Sequence, residues 1–293
     1  MTATKQHFKN ILELNLAVLL ISTSGVLGRY IALPPEQIIL FRAILAVVFI
    51  YAFCRYKKFN LKIADRQDIK VVLLCGVFFG IHWVTYFYAL KLSSVAIGML
   101  SIYTYPVITS FLEPLVLKTK FQKAHIALAV LVLTGVYFLV PEVSFKNQHF
   151  IAVLFGVTSA FFYALRNILM KPKVAKYNGS VLMLYQLVII VFIMSPLLFK
   201  ADFTLVKEQL LPIAFLALVT TAIGHTLLLM SFKHFSATTA SIMSSVQPIY
   251  GILMGVVFLG EFPAWHTIIG GMLILSAVFI EGFRSVKASK ENL

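Results

Sequence analysis

Apolar residues run through this chain in long stretches, broken by short polar connections, and they do not alternate with polar ones. Ten stretches come close to the roughly 20 residues a membrane-spanning helix requires. They cover 11–31, 36–53, 69–90, 94–117, 125–140, 150–170, 180–199, 210–232, 237–259 and 264–283. The longest connection is 54–68, too short for a soluble domain. The expectation is therefore one all-α integral membrane domain over residues 1–293, with ten transmembrane helices. A membrane β-barrel is excluded, because the runs are about twice strand length and lack its period of two.

Composition agrees. The chain is 60% apolar and 12% charged, against about half and a quarter in ordinary soluble proteins. The net charge of +14 invites a nucleic-acid reading, which the placement of the charges removes. With the N-terminus in the cytoplasm, 18 of the 25 Lys and Arg residues fall on the cytoplasmic side, among them Lys5, Lys9, Arg55 and Lys173. Only Lys91, Lys146, Lys200 and Lys207 fall outside. This positive-inside bias predicts a multi-pass protein of the cell (inner) membrane with both termini cytoplasmic. The partners expected are lipid and a small-molecule substrate, and no nucleic acid. Lys5 and Lys9 before an apolar run imitate a signal peptide, but no small-residue cleavage site follows, so the first helix is read as uncleaved. Cys54 and Cys75 form no metal-spaced set and read as packing residues.

The chain also repeats itself. At an offset of 142 residues, Lys91 matches Lys233, Ser94 matches Ser236, Pro106 matches Pro248 and Leu117 matches Leu259. The register continues without a gap through Ile126/Ile268 and Val136/Val278. Two halves, 10–140 and 150–283, each carry five spans. Five is odd, so the halves lie upside down relative to each other, as inverted five-helix repeats. Inverted repeats mark secondary transporters, with a substrate site near the midplane between the halves.

The same residues resemble a known family. Tyr88-Ala89-Leu90-Lys91 with Ser94 and Pro106 is similar to the third-to-fourth helix signature of the EamA-like branch of the drug/metabolite transporter superfamily. Ser231 to Lys233, Ser236, Pro248, Gly260-Glu261 and Gly270-Gly271 resemble its eighth-to-tenth helix signature. Phe41-Arg42-Ala43 and Tyr163-Ala164 resemble its second- and sixth-helix motifs. The resemblance covers about residues 10–283. It implies a secondary transporter that moves amino acids or related amphipathic metabolites by alternating access, in the export direction. The family often closes its fourth helix with Gly-Glu. Here those positions are Lys118 and Thr119, so a carboxylate is missing there unless Glu113 replaces it.

Polar groups inside a membrane are costly and should face protein or water. His82 and His225 fall near the middle of the third and eighth spans, and the offset pairs His225 with Trp83. Two readings of these histidines stay open, a packed imidazole on a backbone carbonyl or a cavity-lining one. Trp83, Tyr86, Tyr103, Tyr105, Tyr163 and Tyr250 are also interior aromatics, which suit an amphipathic solute or, by cation–π contact, an amine. Asn167 and the polar face of the ninth span, Ser244 and Gln247, complete the expected substrate site. Pro106 and Pro248 remove backbone hydrogen bonds and permit bends, making the fourth and ninth spans the expected moving walls. Gly76/Gly80 and Gly251/Gly255 have close-packing spacing.

The charges read as two gating sets. Arg29, Glu36, Arg42 and Glu261 lie toward the outer side; Glu113 and Arg166, with Lys118 close by, lie toward the inner side. Arg42 is roughly 10 Å below its span's start by helix rise, too deep for easy snorkelling. No phosphate-binding glycine loop and no metal-ligand set is present, so neither cofactor nor metal is expected. Proton coupling through Glu113 or His82 is compatible with the sequence, as is ion-free exchange. The competing reading is an intramembrane enzyme acting on lipid, for which His82, His225 and Glu113 lie on different helices. Copy number is left open between monomer and homodimer.

Overall fold

The computed structural model describes residues 3–118, 124–140, 142–235 and 237–291. Ser236 and Thr119, singled out above, fall outside the described residues. The first three spans are α1 (Ala3–Tyr30), α2 (Pro35–Tyr56) and α3 (Arg66–Leu92). The fourth is broken into α4 (Val95–Ile102) and α5 (Tyr105–Leu117). The fifth to seventh are α6 (Ala124–Leu139), α7 (Gln148–Lys176) and α8 (Gly179–Met194), the last extended by a 3-10 turn. A short helix, α9 (Phe203–Glu208), leads to the eighth span, which is α10 (Leu210–Phe215), a π-helical stretch Leu216–His225, and α11 (Thr226–Ser231). The ninth is α12 (Ala237–Met243), a 3-10 turn Ser244–Val246, and α13 (Gln247–Leu259); the tenth is α14 (Trp265–Glu291). Eight spans are long and apolar enough to cross a membrane, and the fifth and tenth contribute shorter apolar helices, His125–Leu139 and Trp265–Glu281. No strand occurs among the described residues.

Helix starts follow from capping chemistry. The side chains of Asp65, Ser94, Asn147 and Asn178 each accept a backbone N–H from the first turn of the helix they precede, which satisfies donors that would otherwise be orphaned. Pro35 opens α2 where its missing N–H costs nothing.

The packing has the symmetry of two inverted repeats. The third span lies along the sixth, and the eighth lies along the first. The second span meets the seventh, the fourth meets the ninth and the fifth meets the tenth, each pairing being its own mate under the exchange of halves. In the last of these the backbones touch: a Cβ on Gly270 would come within 2.6 Å of the Gly135 carbonyl oxygen. Gly76 likewise lets the third span press on the backbone of Gln186 in the seventh. In lipid, where burial drives little between helices, such close approach is a main source of cohesion.

The two broken spans differ from the bends expected at Pro106 and Pro248. Each proline is the second residue of a new helical piece, α5 or α13, where a ring is tolerated, so the chain restarts a helix there. The carbonyl four residues before a proline loses its helical donor. For Pro248 that carbonyl belongs to Ser244; it takes the Gln247 N–H in the 3-10 turn and, as a second donor, the Tyr103 hydroxyl at 2.7 Å. The break in the fourth span thus hydrogen-bonds to the break in the ninth.

Candidate functional site

These breaks face a closed chamber at the junction of the halves. It is lined by Arg42 of α2, by His82, Trp83 and Tyr86 of α3, by Tyr103 and Tyr105 at the fourth-span break, and by Tyr163, His225 and Gln247. Ile21, Ser24 and Ile102 complete the wall. The space is about 20 Å³, room for about one water molecule. The aromatic walls are packed onto one another, and the space as it stands is too small for an organic solute.

Aromatic stacking fixes those walls. His82 stacks on Tyr163 with ring centres 4.2 Å apart. Its Nδ1 is 2.8 Å from Ser159 Oγ, whose hydroxyl donates back to the His82 carbonyl. That pair ties the third span to the sixth, so His82 is both packed and cavity-lining. Tyr103 Oη is also 2.7 Å from Gln247 Oε1, and the Tyr105 hydroxyl donates to the Ser241 carbonyl at 3.3 Å. Wider π turns rotate the eighth span so that Thr221 Oγ1 donates to the Leu216 carbonyl five residues back and accepts from Arg42 Nε at 2.6 Å. Local π geometry is common at functional sites.

Arg42 and Arg166 are both 0% exposed. They do not join the mouth charges with which they were grouped. Their guanidinium groups lie against neighbouring rings of α3: Arg42 is 3.9 Å from the Trp83 ring centre, and Arg166 is 4.3 Å from that of Phe79. Those two rings are 4.1 Å apart. Arg166 donates to Gln186 Oε1 at 2.8 Å and to Asn167 Oδ1 at 3.0 Å, so Asn167 supports an arginine beside the chamber and does not line it. Arg42 has only Thr221; both of its terminal nitrogens lack a partner.

At one end of the bundle Arg29 and Glu261 form an ion pair. Arg29 Nε donates to Glu261 Oε1 at 2.8 Å, and Glu261 Oε2 accepts the Val95 N–H that starts α4. Arg29 also donates to the Lys91 carbonyl, and Lys91 Nζ returns the bond to the carbonyls of Arg29 and Ile31. The ends of the first, third and ninth spans and the start of the fourth are thereby joined. Gly260 makes this geometry by ending α13 in a left-handed cap at φ +66°. Glu36 sits apart and accepts from the Tyr88 hydroxyl at 2.8 Å.

At the other end Lys171, expected from the sequence among the cytoplasmic-side lysines, takes the comparable place. Its ammonium donates to the carbonyls of Phe232 and Phe235 at the end of the eighth span, and the Glu113 carboxylate acts on it electrostatically. Subtracting 142 from Lys171 gives Arg29, so the repeat that revealed the halves could also have revealed this residue. Phe79 and Thr221 were missed as well; their spacing of four from Trp83 and from His225 was the available signal. Tyr250 is half-buried outside the chamber wall, and Ser244 spends its hydroxyl on the Ala240 carbonyl.

A polar chamber enclosed by two repeated, lipid-embedded halves defines a membrane transporter. The chain belongs to the EamA-like transporter family, which matches it twice, over residues 9–140 and 150–281. It is 27% identical over 271 residues to the pseudopaline exporter CntI of Pseudomonas aeruginosa, covering 89% of this chain and 93% of that one. It is also similar to the uncharacterized transporter YwfM of Bacillus subtilis, at 24% identity over 220 residues, 71% of this chain and 73% of the relative. A solved crystal structure shares the fold with a TM-score of 0.71 at 18% identity, over 96% of this chain and 98% of the other.

Proposed function

We propose that the protein exports a small amphipathic organic solute from the cytoplasm by alternating access, and that it is a carrier and not an enzyme. The observation that carries this reading is the closed chamber between the halves, with Arg29–Glu261 at one end of the bundle and Lys171 on the eighth span at the other. Each acts as a latch, placed on equivalent ends of the two halves. Opening one while the other stays shut exposes the chamber to one side at a time, the requirement for transport without leak. The chamber must widen to admit a solute larger than water, so rocking of the halves accompanies binding. The pseudopaline exporter among the relatives supports the export direction.

The distribution of Lys and Arg supports cytoplasmic termini in the cell membrane, which puts Glu261 at the outer mouth and Lys171 at the inner. One chain lines the whole chamber, so a monomer suffices. Glu113 beside Lys171 is the carboxylate placed to couple a proton to inner opening.

Counterflow tests the reading: purified protein in sealed liposomes, preloaded with unlabelled solute, should accumulate labelled solute transiently. A broad metabolite panel with no counterflow at all would retire the carrier reading. In intact cells, Lys146→Cys should react with a membrane-impermeant maleimide and Lys62→Cys should not; the reverse pattern overturns the orientation.

A further inference from the structure

We propose that the solute is a carboxylate of net negative charge and that Arg42 is the residue that receives it. This rests on the chamber being a transport site. Arg42 is wholly buried and lines the chamber, yet both of its terminal nitrogens lack a partner. The indole N–H of Trp83, on which Arg42 stacks, lacks an acceptor in the same chamber. Arg166 sits one ring away along α3 and is bonded to neutral groups alone. Neither arginine is in an ion pair among the described residues, and no carboxylate lines the chamber.

A buried cation without an anion is unfavourable, the more so at membrane depth. Here the protein supplies the cation and the spare donors and withholds the anion. The group that satisfies the guanidinium and the indole accepts hydrogen bonds and carries negative charge; the Tyr86 hydroxyl and His225 Nδ1, also without partners in this chamber, can each turn a donor toward it. A carboxylate does this, and its two oxygens match the terminal edge of a guanidinium. An amine would add a third positive charge to the pair already present. A zwitterion would bring an ammonium that no side-chain carboxylate receives. A phosphate monoester brings up to two negative charges against the one guanidinium that is open. Ile21, Ile102 and the tyrosine rings then hold an apolar body beyond the acid group.

The test compares charge on shared carbon skeletons. Detergent-solubilised protein is melted with indole-3-propionate, tryptamine or tryptophan, and with hexanoate, hexylamine or norleucine; phenyl phosphate probes the phosphate alternative. The acids should raise the melting temperature and the amines should not. Arg42→Gln should weaken apparent affinity for the acid by at least about tenfold, as expected for loss of charge-assisted bonds. If that variant does not fold, Trp83→Phe should weaken the acid more than it weakens any amine. Equal or tighter binding of an amine or zwitterion, preference for phenyl phosphate, or no response to any acid overturns the proposal. Counterflow of the same panel separates the two claims. Exchange of amines alone sinks the carboxylate and leaves transport standing, whereas acid binding with no exchange of any solute keeps the carboxylate and retires transport.

Discussion

At one end of the chamber Arg29 meets Glu261; at the other, 142 residues on from Arg29, Lys171 meets the carbonyls of Phe232 and Phe235. The positions are equivalent and the chemistry is not. Glu261 is a hub: one oxygen takes the guanidinium and the other takes the first N–H of α4. Lys171 binds carbonyls at a helix end, where water can replace it, and the Glu113 carboxylate acts on it electrostatically. The comparison teaches that inverted symmetry supplies two mouths while the residues at them set unequal closing energies. The Glu261 latch should be the stronger, so an empty carrier should rest more often open at the Lys171 end.

The largest expected effect comes from breaking the stronger latch. Glu261→Gln removes one charge and two charge-assisted bonds, each about 1.5–3 kcal/mol at full strength. The Arg29 side chain is 36% exposed, so screening reduces this. A net loss of about 2 kcal/mol shifts the population toward opening at that end roughly thirtyfold. A cysteine at Ser24, in the chamber wall, with Cys54 and Cys75 replaced, should then react faster with a bulky thiol reagent added on the Glu261 side. Unchanged reactivity would mean that Glu261 is not a latch. Exchanging the pair, Arg29→Glu with Glu261→Arg, should restore part of the protection.

Next comes Tyr103→Phe, which serves as the symmetric control. Its hydroxyl is a second donor to the Ser244 carbonyl, which also takes the Gln247 N–H. Losing that bond, with the Ser244 carbonyl keeping only the Gln247 N–H, should cost about 1 kcal/mol of thermal stability. Because the fourth and ninth spans exchange under the repeat, thiol access should change equally from both sides. A one-sided change would tie the broken spans to a single mouth.

Lys171→Met should produce a smaller change, opening the opposite end by about 1 kcal/mol, or roughly fivefold. The same Ser24 cysteine reads it, now with reagent on the Lys171 side. If Lys171→Met and Glu261→Gln opened the same side, or if the lysine mattered more, the ranking of the two latches would be reversed.

Span number, the two-repeat plan and the interior aromatics were legible because hydrocarbon thickness and the cost of buried polar groups write themselves into sequence. Depth along a helix could also be counted, which is how Arg42 stood out. Rotation about the helix could not. Nothing in sequence spacing separated Arg42, facing the chamber, from Arg166, which turns toward Gln186 and Asn167. The π stretch at Leu216–His225 shifts the facing of Thr221 and His225 relative to a regular helix, so an α-helical count misplaces them. Lys171 was hidden for another reason: a lysine at a cytoplasmic helix end has an ordinary explanation in membrane orientation, and that explanation masked its match to Arg29.

The smallest effect concerns the caps that end the two broken spans. Gly260 ends α13 at φ +66°, and Lys118, its mate at the 142-residue offset, ends α5 at φ +55°. A Cβ on Gly260 would meet nothing within 4 Å, so the glycine there answers to backbone conformation alone and not to crowding. Lys118 holds the same left-handed turn without that freedom, which costs a non-glycine residue about 1–2 kcal/mol. Replacing it by glycine recovers that strain but adds about 0.5–1 kcal/mol of unfolded-chain entropy. Lys118→Gly should therefore stabilise by about 0.5 kcal/mol, raising the melting temperature by about 1–2 °C. Gly260→Lys should destabilise by a similar amount and, because Glu261 follows the cap directly, should also increase thiol access from the Glu261 side. Lys118→Gly should leave access unchanged on both sides, since no glutamate follows it. A gain in access from Lys118→Gly would mean that the Lys171 end, too, is held through its cap.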